Sequence, residues 1–117
     1  MKIHIKNLRL KTIIGINDLE RAEKQDVIVN VEVELDATRA TQTDRIEDTI
    51  NYKTLTKRII SEVELSEFYL LEKLAHHILK IVLEDKKVIR VTVEVDKPHA
   101  VRFADSVSVS CSGGQEP

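Results

Sequence analysis

An unbroken alternation of apolar and polar residues near the start of the chain constrains the fold more than any other feature. The apolar positions of VIVNVEVEL are Val27, Val29, Val31, Val33 and Leu35. Successive side chains of a β-strand point to opposite faces, so this row predicts a strand with one buried face. Residues 2–13 alternate as well, with one slip before Leu8. The two segments predict an antiparallel hairpin around a polar loop at residues 15–25.

The middle of the chain changes to a helical period. Residues 49–64 carry an apolar stripe, which predicts a first helix, and residues 67–84 carry a second stripe, with Ser66 as the expected N-cap. Alternation returns at Val88 and again after the KPHAVR turn. The order β-β-α-α-β-β predicts an α+β fold, a four-stranded antiparallel sheet with both helices on one face. Its open strand edges favour oligomerisation.

Composition narrows the classes of protein. The 117 residues suit one domain, and 42% hydrophobic with 32% charged residues is typical of globular chains. A net charge of −2 and the absence of Trp disfavour a nucleic-acid-binding platform. No apolar run could cross a membrane and MKIHIKNLRL does not resemble a signal peptide, so we expect a cytoplasmic protein. Residues 112–117, SGGQEP, are expected to form a frayed tail.

Lys97 is the first candidate for chemistry. It ends the third predicted strand, and Pro98 holds it extended and cannot donate to the sheet. It is either a solvated lysine at a strand end or a catalytic amine. In the second case its pKa would be lowered by burial or by the nearby His99 and Arg102.

Two further residues have two interpretations each, and Glu20 has one. Glu72 lies at the border of an apolar helix face, where it either extends to water or pairs locally with Lys73 or His76, or accepts two parallel N–H bonds from a planar ligand. Tyr52 is either a core residue or a proton relay. Glu20 cannot be told from a solvated loop glutamate. A metal site is disfavoured, because His76 and His77 point about 100° apart on a helix.

Four segments resemble the dihydroneopterin aldolase family over about residues 2–110. They are IKNLRLKTIIGI, NYKTLTKRII, FYLLEKLAHHIL and VEVDKPHAVRFADSVSVS, and they are most similar to the dihydroneopterin triphosphate 2′-epimerase branch. The resemblance implies the tunnelling fold and rings of identical subunits, commonly tetramers that stack into octamers. It also implies active sites between neighbouring subunits, a small pterin substrate, and no nucleic-acid or membrane partner.

The resemblance also implies roles for individual residues. The family's lysine matches Lys97 in VDKPHA, its pterin-anchoring glutamate matches Glu72 in LLEKLA, its tyrosine matches Tyr52 in INYKT, and its loop glutamate matches Glu20 in GINDLE. The backbone amide of Leu71 would help to hold the ring. Lys97 would manage protons through a bound water, and Tyr52 would handle the side-chain hydroxyl proton.

The implied reaction is a retro-aldol cleavage that requires no cofactor. Deprotonation of the 2′-hydroxyl breaks the C1′–C2′ bond, and the electrons enter the C6–N5 imine of the dihydropterin. Loss of glycolaldehyde leaves 6-hydroxymethyl-dihydropterin, whereas return of the aldehyde in the opposite orientation inverts C2′.

Substrate preference depends on the turn after Lys97. Aldolase members follow Lys-Pro with glycine and small residues, whereas HAVRFADSVS is similar to the epimerase branch, and His99 or Arg102 would hold a triphosphate. The first loop, NDLERAEKQ, departs from the epimerase pattern. The alternatives are an aldolase of folate biosynthesis and a non-catalytic pterin-binding or assembly domain.

Overall fold

A single antiparallel sheet organises the protein, which we describe over residues 1–115 of a computed structural model. Its four strands lie in chain order, so each strand pairs with its sequence neighbour. They are β1 (Lys2–Thr12), β2 (Gln25–Leu35), β3 (Val88–Pro98) and β4 (Ser106–Gly114). This is the predicted four-stranded sheet. β1 and β4 are its edges and, within the described residues, each pairs on one side only.

Helices cover one face of the sheet, as the sequence predicted. They are α1 (Asp18–Ala22), α2 (Thr38–Thr43), α3 (Tyr52–Glu64) and α4 (Leu71–Leu83), with a 3₁₀ turn at Ile46–Asp48. The long helices make the layer, since α3 packs on β1 and α4 packs on β3 and β4. No helix in residues 1–115 is both long enough and apolar enough to span a membrane.

The alternating row of β2 forms the centre of the core. Its five apolar side chains are at most 2% exposed, and they meet the buried Ile59 and Val63 of α3 and the buried Leu74 and Ile78 of α4. Burial of one such side chain contributes about 1.5–3 kcal/mol. The intervening polar residues of β2 face the opposite side, so the period-two pattern and the helical stripes agree on one interior.

The predicted slip in β1 is a β-bulge. The register with β2 shifts between Ile5 and Leu8, and Asn7 lies there in the left-handed region with φ of 53°. The Asn7 backbone amide donates to Asn30 Oδ1 at 2.9 Å. Asn tolerates this backbone conformation better than most residues. The bulge shifts the register by its extra residue, and the alternation of β1 resumes at Leu8.

Several predicted boundaries were wrong. The loop at residues 15–25 contains the short helix α1, and α2 was not predicted. Ser66 does not cap α4, which begins five residues later. Its hydroxyl instead donates to the Val63 carbonyl at 2.7 Å and closes α3. The first helix begins at Tyr52 rather than at residue 49, because the Asn51 side chain accepts from the amides of Lys53 and Thr54.

The expected frayed tail is largely part of the sheet. β4 continues to Gly114, and the Gln115 side chain donates to the carbonyls of Leu83 and Asp85, both at 3.0 Å. These bonds tie the end of β4 to the end of α4. Residues 116 and 117 lie outside the described part of the chain.

The long strands give the molecule two distinct ends. At the lysine end β1 and β3 finish and β2 begins, so Thr12, Gln25 and Lys97 lie there. The Thr12 hydroxyl donates to the Ser66 carbonyl at 2.9 Å, which brings the finish of α3 to the same end. At the tyrosine end β2 finishes and β3 starts. Tyr52 opens α3 there.

Candidate active site

The lysine end contains a secluded ion pair between Lys97 and Glu20. The Lys97 Nζ atom donates to Glu20 Oε2, and the two side chains are only 11% and 19% exposed. Lys97 continues the inward-facing row of Val91, Val93 and Val95, so it stands where an apolar residue would be expected. The interpretation as a solvated lysine is therefore wrong, because a lysine in such a place needs a partner.

Glu20 is held on both sides of its carboxylate. Its Oε1 atom accepts from the Ile16 amide at 3.1 Å and from the Asn17 amide at 3.4 Å, while the Asn17 side chain accepts from the Glu20 amide at 2.9 Å. This reciprocal pair is a capping box and starts α1. The hydrogen bond from Lys97, followed by that from Asn17, lowers the pKa of Glu20 below its usual value.

Gly15 makes room for the carboxylate. A Cβ atom at this position would collide with the Glu20 carboxylate, and Gly15 has φ of +128°, which side chains rarely adopt. Gly15 is therefore needed both for its backbone conformation and for its lack of a side chain.

The α1 segment is bound to the chain that enters α4. The Gly15 amide donates to the Phe68 carbonyl at 3.4 Å. Arg21 donates to the same carbonyl at 3.1 Å and to the Glu67 carbonyl at 2.7 Å. Because α4 begins three residues after Phe68, these bonds place its first turn beside the Lys97–Glu20 pair.

The first turn of α4 presents free hydrogen-bonding groups. Its N-cap is Leu70, and no side chain of the described residues caps it. The amides of the first turn therefore remain available, Leu71 is buried, and Glu72 is exposed without an ion-pair partner in residues 1–115. A local pair of Glu72 with Lys73 or His76 is absent there, whereas the exposure of Glu72 agrees with the alternative of a carboxylate that extends to water. A helix start with free amides and an adjacent carboxylate suits a planar ligand that offers both N–H groups and an acceptor.

His99 and Arg102 lie in the β3–β4 loop at the same end, but neither contacts Lys97. Both are exposed, and the Arg102 guanidinium lies over the Phe103 ring at 5.1 Å. The ion-pair partner of Lys97 is instead the carboxylate of Glu20, and an influence of the two cations on Lys97 stays a prediction. Their position after Pro98 leaves them free to meet a charged part of a ligand.

Tyr52 is at the tyrosine end, far from these groups. It is 55% exposed, and its neighbour Asn51 lines a cavity of about 310 Å³ together with Val88. Lys97 lies nine residues beyond Val88 on β3, which corresponds to about 30 Å along the strand. One chain therefore brings Lys97, Glu20, Leu71 and Glu72 to one end but not Tyr52.

Sequence reasoning missed Gly15, Asn17 and Arg21. The spacing of Asn17 and Glu20 matches a capping box and could have revealed α1. Nothing local could have revealed Arg21, because its carbonyl partners lie 46 and 47 residues away.

Comparison with known proteins places this geometry in a family. The profile of the FolB dihydroneopterin aldolase family matches residues 3–112. The dihydroneopterin triphosphate 2′-epimerase of Pseudomonas aeruginosa is 46% identical over 112 residues, covering 96% of this chain and 91% of that protein. The enzyme of the same name from Escherichia coli K12 is 47% identical over 110 residues, covering 94% and 92%.

A solved structure agrees. The crystal structure of E. coli dihydroneopterin aldolase in complex with neopterin superposes with a TM-score of 0.91 at 27% identity, covering 97% of this chain and 99% of that one. The family match extends over nearly all of the described chain and includes both the Lys97–Glu20 pair and the start of α4. This chain therefore belongs to the dihydroneopterin aldolase family.

Proposed function

We propose that this protein epimerises 7,8-dihydroneopterin triphosphate at C2′ by breaking and remaking the C1′–C2′ bond. The observation that carries the proposal is the secluded Lys97–Glu20 pair beside the open start of α4. The choice of epimerase over aldolase is supported by identities of 46% and 47% to two epimerases, against 27% to the aldolase of known structure.

Glu72 and the Leu71 amide would hold the pterin ring. The Glu72 carboxylate accepts two parallel N–H bonds from the aminopyrimidinone edge, and the Leu71 amide donates to a ring acceptor. The free amides of the helix start add a partial positive charge next to these groups. Ring binding at α4 would direct the C6 side chain towards Lys97 and Glu20.

Lys97 and Glu20 would manage the protons of the reaction. When the 2′-hydroxyl loses its proton, the C1′–C2′ bond breaks and its electrons enter the C6–N5 imine, giving an enamine and glycolaldehyde triphosphate. The aldehyde then turns and accepts the enamine electrons on its other face, which inverts C2′ and restores the imine. Tyr52 would take the 2′-hydroxyl proton and return it when the bond forms again. The ion pair, through a bound water, would donate a proton to N5 as the enamine forms and recover it when the imine is restored, and Glu20 keeps the Lys97 amine in position.

A neighbouring subunit would complete the site. Within one chain Tyr52 and Lys97 lie at opposite ends of the molecule, yet a relay to the 2′-hydroxyl must contact the substrate. The unpaired edges of β1 and β4 can pair with each other in successive copies. We propose that such a ring, a tetramer that stacks into an octamer, brings Tyr52 of one subunit to Lys97 of the next.

His99 and Arg102 would bind the triphosphate. Both are exposed on the loop that follows Lys97, and a guanidinium donates in a planar fork that matches phosphate oxygens. This assignment would explain why the turn after Pro98 contains cations instead of glycine.

Pterin chromatography tests the reaction. Incubation with dihydroneopterin triphosphate should give the C2′-inverted isomer with little aldehyde release. Arg102→Ala should weaken the triphosphate far more than dihydroneopterin, whereas Arg90→Ala, an exposed control on β3, should affect neither. Equal losses for both substrates would rule out the phosphate assignment.

An aldolase is the second candidate, because the solved relative with neopterin has the same fold. Release of glycolaldehyde from dihydroneopterin as the faster reaction would select it. Turnover of neither substrate would leave a non-catalytic pterin-binding domain. The cytoplasmic location remains a prediction.

A further inference from the structure

The Arg21 side chain contacts residues that are far from it in the sequence, although it lies on a helix of only five residues. Its Nη1 atom donates to the Phe68 carbonyl at 3.1 Å and to the Gly15 carbonyl at 3.3 Å, and its Nη2 atom donates to the Glu67 carbonyl at 2.7 Å. The guanidinium also lies over the Tyr69 ring, 4.1 Å from its centre. One side chain thus joins α1 to three consecutive residues of the segment before α4.

These contacts join α1, which carries Glu20, to the segment that enters α4. Glu20 is next to Arg21 on α1 and binds Lys97, while Leu71 and Glu72 follow Tyr69 by two and three residues. α1 has no buried residue of its own. Besides Arg21, the Gly15–Phe68 backbone bond at 3.4 Å connects the two segments.

We infer that Arg21 is a positioning residue, which holds Glu20 of α1 in place relative to Lys97 and the ring-binding start of α4. This inference rests on the proposed function. Lys97 stays fixed relative to α4 without the clamp, because α4 packs on β3. Loss of the clamp leaves the ring site intact but lets Glu20 move relative to Lys97 and α4. A displacement of about 1 Å between a bound substrate and a catalytic group can cost on the order of a hundredfold in rate.

Lysine cannot replace this arginine. A guanidinium donates to several carbonyls in one plane and stacks on an aromatic ring, whereas an ammonium is a compact point charge. Arg21→Lys should therefore behave like Arg21→Ala. Tyr69→Phe keeps the stacked ring and should behave like the wild type, while Tyr69→Ala should fall between.

Steady-state kinetics give the first test. Arg21→Ala should lower kcat by about tenfold to a hundredfold and change KM by less than about threefold, because the groups that hold the ring are unaltered. Arg58 is an exposed arginine on α3 that pairs with the carboxylates of Glu62 and Glu84. Arg58→Ala is therefore the matched control and should keep the wild-type kcat. Equal kcat values for Arg21→Ala and the wild type would overturn the inference. So would full rescue by Arg21→Lys.

Amide hydrogen exchange separates this inference from the proposed function. In Arg21→Ala the amides of residues 15–22 and 66–72 should exchange faster, with the strands unchanged. Unchanged exchange there would overturn the clamp even if the enzyme is active. Wild-type protein that turns over neither pterin would instead overturn the proposed function, while the exchange result still reports on the clamp.

Discussion

The two ends of this protein both contain an arginine or lysine paired with a glutamate, but they use the pair differently. At the lysine end, the Lys97 and Glu20 side chains are 11% and 19% exposed, and two backbone amides also hold the carboxylate. Towards the tyrosine end, Arg58 and Glu84 are 46% and 57% exposed. Water can replace either partner of an exposed pair, so such a pair contributes little to stability. Of the two pairs, only Lys97–Glu20 has a carboxylate that backbone amides fix in addition to the cation.

The difference in exposure indicates which of the two pairs is suited to chemistry. Shielding from water strengthens the interaction between charges and preserves their orientation. The Lys97–Glu20 pair is also the only one of the two that adjoins an open helix start.

Removal of the lysine should have the largest effect. Lys97→Met should lower kcat by about 10²–10⁴, the usual contribution of a positioned acid or base. Methionine suits the apolar row of β3, so the fold should persist, as circular dichroism would check. Lys57→Met, at an exposed site on α3, is the control. If Lys97→Met keeps more than a tenth of the wild-type kcat, Lys97 is not the acid or base of the reaction, and the two ends do not differ in catalysis.

Mixing two inactive variants should test whether the ends meet between subunits. Tyr52→Ala and Lys97→Ala, unfolded together and refolded as a mixture, should regain about a quarter of the wild-type activity, because random assembly gives that share of interfaces with both residues intact. Each variant refolded alone is the control. Absence of recovery in oligomers shown by mass to be mixed would mean that Tyr52 does not serve a neighbour's site.

Acid should weaken the ion pair between Lys97 and Glu20 and so lower the stability of the folded protein. The pKa of Glu20 is lowered in the folded protein, mainly by Lys97. Below the ordinary glutamate pKa of about 4.3 the unfolded chain therefore binds more protons at this site. The stabilisation is present above that pH and is lost as pH falls through the lowered folded pKa. Urea unfolding between pH 3 and 7 should show a shallower acid decline for Glu20→Gln than for the wild type.

Glu23→Gln, on the same segment and exposed, should retain the wild-type decline and is the control for the charge change. If Glu20→Gln and the wild type lose stability in parallel, the contact with Lys97 does not stabilise the folded protein.

Removal of the exposed pair should have the smallest effect. Arg58→Ala takes away bonds to Glu62 and Glu84. We expect unchanged kcat and a urea midpoint close to that of the wild type, because both partners are largely hydrated. A large loss of stability would show that exposure does not separate the two pairs.

The strands and long helices could be predicted because their signals are local. The row from Val27 to Leu35 and the stripes of α3 and α4 report which side of each element is buried. The bulge near Asn7 also left a visible slip in the alternation. The start of α4 could not be predicted, because Ser66 looks like a cap and instead bonds back to Val63.

The candidate site likewise has a part that could be predicted from the sequence and a part that could not. Resemblance to the family identified Lys97, Glu20, Leu71 and Glu72, and the fold brings all four to one end. It did not reveal that Lys97 forms an ion pair with Glu20. That outcome depends on which side chain α1 turns towards β3, and α1 itself was expected to be a loop.

Periodicity, a property of neighbouring residues, was enough to determine the order of the four strands and the two long helices and the identity of their buried faces. Tertiary structure alone determined the partners of the charged residues, because Lys97 and Glu20 are 77 residues apart and Arg21 bonds across 46 and 47. Hydrophobic burial follows the local pattern of each element, whereas a hydrogen bond requires two groups within about 3 Å. Only the assembled sheet and helices bring such groups together.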